Sequence, residues 1–85
     1  MKLRILYFAS LRESLGTDRE EINLPAGVID AQSLRDWLSQ RGEPWQQTLA
    51  AQRAVRVAVN QSMAHAATPI KAGDEVAFFP PVTGG

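Results

Sequence analysis

The 85-residue chain has no cysteine and a single histidine, His65. The first absence excludes disulfides, thiolate nucleophiles and cysteine-based metal sites; the second leaves no ligand pair at the spacing of a zinc or non-haem iron centre. His65 reads as a surface loop residue. Net charge is missing as well. Nine Lys and Arg balance nine Asp and Glu, which removes the electrostatic term behind most non-specific nucleic-acid affinity. No nucleic-acid partner is expected. No apolar run approaches the roughly 18 residues of a membrane span. The apolar start, Ile5 to Ala9, is cut short by Arg12 and Glu13 with no small-residue cleavage site after it. Neither a membrane nor a secretory role is expected, and the chain reads as cytoplasmic. It also lacks a Gly-rich phosphate loop, so any ATP chemistry belongs to another protein.

What is present is enough for one small folded domain, with 45% hydrophobic residues. Alternation over residues 2–8 gives a strand with Leu3, Ile5 and Tyr7 on one face and Lys2, Arg4, Leu6 and Phe8 on the other. A short helical turn from Leu11 to Leu15 stops at Gly16, and a strand follows near Glu20 to Leu24, making a hairpin with an elaborated loop. Asp30 caps a helix that runs to about Arg41. Its stripe of Ala31, Leu34, Trp37 and Leu38 faces inward. Trp37 and Trp45 read as packing residues, and Pro44 to Leu49 as a short turn closing one end of the core.

Val55, Val57 and Val59 alternate with Arg56, Ala58 and Asn60 as a half-buried strand. Asn60-Gln61-Ser62 turns the chain into a short strand at Met63; although it matches a glycosylation sequon, Asn60 reads as a turn former. In the last strand, Glu75 to Phe79, Val76 and Phe78 face inward and Ala77 and Phe79 outward. One helix against one sheet gives an α+β domain, and a β-grasp (ubiquitin-like) roll fits the element order, its mixed sheet holding the main helix. Residues 1–79 form that domain and residues 80–85 an extended tail of the same single-domain chain.

The tail, Pro80-Pro81-Val82-Thr83-Gly84-Gly85, is the most informative segment. Proline fixes its own φ and donates no ladder hydrogen bond, so Pro80-Pro81 ends the last strand and sends the chain outward. Gly84-Gly85 leaves a slim end without side chains. Six residues reach on the order of 20 Å, enough to thread a narrow cleft in another protein and present the Gly85 carboxylate there.

Phe78-Phe79-Pro80-Pro81-Val82-Thr83-Gly84-Gly85, preceded by Gly73-Asp74-Glu75-Val76-Ala77, closely resembles the end of the sulfur-carrying small subunits of molybdopterin synthase. Val59-Asn60-Gln61, Ile5-Leu6-Tyr7-Phe8-Ala9 and Leu11-Arg12-Glu13 resemble that family too. The resemblance implies a β-grasp protein whose Gly85 carboxylate is adenylated by a ubiquitin-activating-type adenylyltransferase at the expense of ATP. Sulfur from a sulfurtransferase or persulfide donor then replaces AMP to give a thiocarboxylate. It further implies delivery of that sulfur, inside the large synthase subunit, to cyclic pyranopterin monophosphate to build the molybdopterin dithiolene. The implied assembly has two small and two large subunits. Gly85 is then the carrier residue, with Pro80, Pro81, Val82, Thr83 and Gly84 threading the partner's active site. No cofactor is bound by the chain itself, and the catalytic side chains belong to the large subunit.

Leu6 and Phe8 on the first strand, Phe79 on the last and Met63 beyond the Asn60 turn are candidates for one outward apolar docking surface. Two other readings of the tail remain open: a sister sulfur carrier, such as that of thiamine thiazole synthesis, and a ubiquitin-like modifier conjugated to lysine.

Overall fold

The computed structural model describes residues 2–81. β1 (Lys2–Tyr7) buries Leu3, Ile5 and Tyr7 and turns Lys2, Arg4 and Leu6 to the other face, as its two-residue period requires. α1 (Ala9–Leu15) starts two residues before the expected helical turn. Phe8, the single residue between β1 and α1, is extended and its carbonyl accepts from the Leu11 N–H, so the helix begins directly after the strand. Gly16, at φ 72°, closes α1 in the left-handed conformation expected of it. β2 (Arg19–Asn23) then returns antiparallel to β1, pairing Leu3 with Ile22 and Ile5 with Glu20.

Asp30 caps α2 (Ala31–Ser39) in a reciprocal box: its carboxylate accepts from the Ser33 N–H at 2.8 Å, and Ser33 Oγ accepts from the Asp30 N–H at 3.0 Å. The helix ends two residues short of Arg41. Its last turn tightens, the Arg41 N–H bonding to the Leu38 carbonyl three residues back. Gly42, at φ 90°, then redirects the chain. α3 (Trp45–Thr48) places Leu49 in the core, at 1% exposure.

β3 (Arg56–Val59) and β4 (Ser62–Met63) form a tight hairpin, and β5 (Glu75–Phe79) completes a five-stranded sheet of order β2-β1-β5-β3-β4. β1 and β5 run parallel at its centre, with Ile5 beside Val76 and Tyr7 beside Phe78. This is the β-grasp arrangement, a mixed sheet with the main helix on one face. Leu3, Ile5, Tyr7, Leu34, Leu38, Leu49, Val76 and Phe78 are its most deeply buried side chains. Each large apolar side chain so buried contributes on the order of 1.5–3 kcal/mol relative to exposure.

Two further details differ from the sequence expectation. Val55 lies just before β3 rather than in it, although it still packs against the core. Ala58, expected on the exposed side of that strand, is only 9% exposed. It stands between Ala77 of β5 and Met63 of β4 in the ladder, and its single methyl is shaded by its neighbours.

Asn60 and Gln61 both have positive φ, 50° and 69°, the geometry of a two-residue hairpin turn that follows the twist of its strands. Asn60 also ties that turn to β5. Its N–H donates to the Glu75 carbonyl, its Oδ1 accepts from the Glu75 N–H, and its Nδ2 donates to Asp74 Oδ1. With both ends of its amide engaged, Asn60 acts as the turn former expected from the sequence.

Candidate functional site: the outer sheet face and the root of the tail

The sheet's outer face, opposite α2, carries the residues proposed for docking. Register sets them in rows. Leu6, Ala77, Ala58 and Met63 stand side by side across β1, β5, β3 and β4. In the next row Arg56 pairs with Phe79. The Phe8 N–H donates to the Phe78 carbonyl, which holds Phe8 at this same end of the sheet. Leu6 and Phe79 are half-buried, whereas Phe8 and Met63 are 47% and 61% exposed. The result is a strip rather than a compact cluster: Leu6, Phe8 and Phe79 gather on the central strands, and Met63 marks the far end, about 14 Å from Leu6 at ordinary strand spacing. Ala77 and Ala58 fill the row between them. The alternation of β3 holds the signal for Ala58, but alanine adds too little apolar surface for a sequence pattern to single it out.

On its other side the strip meets a polar row, in which Arg4 pairs with Glu75 at 3.9 Å and lies beside Glu21 in the ladder. The inner face is sealed. Tyr7 stacks near Phe78 and Trp45, with ring centroids 6.3 and 5.5 Å away, and its hydroxyl donates to Glu20 at 2.8 Å. Burial, helped by the Glu20 hydrogen bond and charge, pushes the Tyr7 phenol well up. Arg41 covers the same corner, its guanidinium over Trp45 and Trp37 at 4.0 and 5.4 Å. Both tryptophans are therefore packing residues, as expected. His65 is exposed in a loop, its Nδ1 accepting from the Ala67 N–H.

β5 leads straight into Pro80 and Pro81, both half-buried at the end of the strip. Val82, Thr83, Gly84 and Gly85 lie outside the described residues. Two adjoining clefts, which share Ala54 and Val55, meet the tail root. One, of about 460 Å³, is lined by Arg56, Phe78 and Pro81 among others; the second, of about 550 Å³, by Leu11, Arg53 and Pro80 among others. Among the described residues no group of three or more His, Asp or Glu could hold a metal ion. No helix among them is long and apolar enough to cross a membrane. What this surface offers chemically is an apolar platform with Pro80 and Pro81 at one end of it.

Comparison with known proteins agrees with this fold. The ThiS family matches residues 5–85. The chain is 41% identical over 83 residues to a molybdopterin synthase sulfur carrier subunit of Haemophilus influenzae, covering 98% of this chain and 99% of the relative. It is 39% identical over 83 residues to the protein of that description from Escherichia coli, with the same coverage. Among solved structures, SAMP1 of Haloferax volcanii superposes with a TM-score of 0.74 over the full length of both chains; at 24% identity this likeness supports the fold alone. A protein-protein complex of subunits 1 and 2 of the molybdopterin-converting factor of Helicobacter pylori contains a chain matched at TM-score 0.65 and 25% identity, again over both full lengths. By sequence and by fold, the chain belongs to the ThiS family, in the company of the molybdopterin synthase sulfur carrier subunits.

Proposed function

We propose that this chain is the sulfur-carrying small subunit of a molybdopterin synthase and that Gly85 is its carrier residue. The observation that carries the reading is the placement of the tail root: central strand β5 releases the chain at Pro80 directly beside an exposed apolar strip. A partner docked on Leu6, Phe8, Phe79 and Met63 receives the tail at the border of the same contact. The full-length relatives named as sulfur carrier subunits support the assignment. The Helicobacter pylori complex supports a large-subunit partner.

The chemistry follows from the nature of a carboxylate. To lose an oxygen directly, the Gly85 carboxylate would have to expel oxide, so it must first be activated. Its attack on the α-phosphorus of ATP, in a partner adenylyltransferase, releases pyrophosphate and leaves a glycyl adenylate. Sulfide then displaces AMP to leave a thiocarboxylate directly. Where a sulfurtransferase or persulfide donor brings the sulfur, its outer sulfur displaces AMP to give an acyl disulfide; a second thiol on the donor then attacks the donor's sulfur, leaving a disulfide on the donor and releasing the thiocarboxylate. That group is ionised near neutral pH and nucleophilic through sulfur, so a chain with no cysteine can carry sulfur. In the large subunit the thiocarboxylate sulfur displaces an oxygen substituent from a side-chain carbon of the pterin precursor, joining Gly85 to the pterin as a thioester. Water then cleaves the acyl–sulfur bond, leaving the sulfur on the pterin and restoring the Gly85 carboxylate. The chain is a co-substrate rather than a catalyst, acting in the cytoplasm with a large subunit that supplies the acid and base groups.

Intact-mass spectrometry tests this directly. After incubation with ATP, the cognate activating enzyme and a sulfur source, the protein should gain the mass difference of one oxygen replaced by sulfur, at Gly85. Transfer of that sulfur to the pterin precursor with the large subunit present completes the assignment. A covalent ladder on a denaturing gel would instead identify a lysine-conjugating modifier.

A further inference from the structure

The basic side chains are not evenly spent. Arg4, Arg19, Arg41 and Lys71 each have a carboxylate within 4.0 Å. Arg35 has none but gives three hydrogen bonds, at 2.6 to 2.9 Å, to the Leu49, Ala50 and Arg53 carbonyls, so its guanidinium fixes the segment that precedes β3. Lys2, Arg12, Arg53 and Arg56 are exposed and among the described residues have no carboxylate partner, and of these four Arg53 and Arg56 are the two that line the clefts at the tail root. Each lines one of the two clefts at the tail root, Arg56 beside Pro81 and Arg53 beside Pro80. No Asp or Glu among the described residues lines either cleft. A chain of zero net charge thus sets two arginines without a described acidic partner at Pro80 and Pro81, while Asp18, Glu20 and Glu21 lie in or beside the far edge strand β2.

We infer that Arg53 and Arg56 form a cationic collar that docks against an acidic rim around the tail-accepting cleft of the large subunit. The inference rests on the docking face proposed above and adds to it the charge of the surface opposite. Arg56 is continuous with that face, since it pairs with Phe79 across the β3–β5 ladder. An apolar strip alone leaves the angle of approach loosely defined. Charges placed beside the tail root favour the approach that aligns the tail with its cleft, and act during the encounter, before the apolar contact closes. The collar thus specifies orientation and association rate, whereas the strip supplies most of the residence time.

The test is binding to the cognate large subunit as a function of salt, for the wild-type protein and four variants. Association should slow as salt rises. Arg53→Glu with Arg56→Glu should lower the association rate roughly tenfold or more at low salt, and Arg53→Gln with Arg56→Gln should fall between. Lys2→Glu, at the opposite end of β1, should change little, and circular dichroism should report the same fold for every variant. Phe79→Glu separates the two readings by raising the dissociation rate. If charge reversal at the collar has no effect, or tightens binding, while Phe79→Glu still weakens it, the acidic rim is refuted and the docking face stands. If Phe79→Glu also leaves affinity unchanged, the docking face itself is wrong and the collar with it.

Discussion

Arg41 grips the Glu20 carboxylate with two donors, at 3.0 and 2.6 Å, so that the end of α2 is tied to strand β2 across a wall of aromatic rings. The pair is only partly shielded, with side-chain exposures of 27% and 21%. Its placement matters more than its burial. The guanidinium lies over Trp45, Trp45 packs against Tyr7, and the Tyr7 hydroxyl returns to Glu20. One cation thereby closes a ring of contacts at the corner of the core.

Breaking that ring should cost stability in a pH-dependent way. Burial raises the Glu20 carboxyl, but the hydrogen bonds from Arg41 and Tyr7, together with the Arg41 charge, outweigh it and hold the group below its ordinary range. A carboxyl held down in the folded state stabilises the fold above its unfolded pKa and loses that contribution as pH falls through the folded value. Glu20→Gln should therefore destabilise the protein at pH 7, by about 1–2 kcal/mol for a charge-assisted pair of this exposure. The difference from wild type should shrink below about pH 4. Urea denaturation at both pH values measures it, and a constant difference would show that the carboxylate's charge contributes nothing.

Asn60 gives a sharper substitution. Asp74 is 5% exposed, and burial raises its carboxyl; hydrogen bonds from Asn60 and the Lys71 N–H, with the Lys71 charge, bring it below its ordinary range. Asn60→Asp keeps the oxygen that accepts from the Glu75 N–H and tolerates positive φ, but points a second carboxylate at Asp74 where a donor stood 3.0 Å away. Two carboxylates at that distance resist joint ionisation, which raises one of their pKa values in the folded state. The variant should lose about 2–3 kcal/mol at pH 7, the scale of leaving a buried charged group without its donor. It should regain part of this near pH 5, where one proton can be shared. Denaturation midpoints that fall in parallel with wild type on acidification would argue against the contact.

Most of this architecture was legible from periodicity and punctuation. Leu3, Ile5 and Tyr7 announce an inward strand face, Asp30 and Gly16 mark helix boundaries, and the alternation of Val76, Phe78 and Phe79 places Phe79 outward. These are local signals. What the sequence concealed depends on tertiary geometry. Nothing local distinguishes Arg41, held over two indoles, from Arg53, which lies open beside the tail, since both are arginines in polar surroundings. Ala58 is buried by Met63 and Ala77, its neighbours only after β3, β4 and β5 have paired. The early end of α2 has the same origin, because Arg41 reaches Glu20 from a tightened last turn rather than from a continuing helix.

Ala9, the first residue of α1, has a positive φ of 53°. A Cβ in this region costs on the order of 1 kcal/mol, and glycine avoids that cost. Because Ala9 is exposed and opens the helix rather than standing within it, Ala9→Gly should raise stability by about 0.5–1 kcal/mol despite the usual penalty of glycine in helices. A lower denaturation midpoint would mean that backbone freedom gained by the unfolded chain outweighs the relieved strain.

Removing Gly84 and Gly85 should separate folding from sulfur transfer. The core cluster runs from Leu3 to Phe78, so the deletion takes away no core side chain, and the denaturation midpoint should stay within error of wild type. Docking through Leu6, Phe8, Phe79 and Met63 should likewise survive, with affinity for the large subunit within about threefold, the scale of a rim contact. The carboxylate, however, is drawn back by about 7 Å and set on β-branched Thr83, too short and too broad for the path that a pair of glycines can thread. Sulfur gain by intact mass should then vanish. Combining Gly84→Ala with Gly85→Ala keeps the full length without the slimness, so sulfur loading at the wild-type level in that variant would show that reach alone matters. Loading that persists after deletion would remove Gly85 from the mechanism altogether.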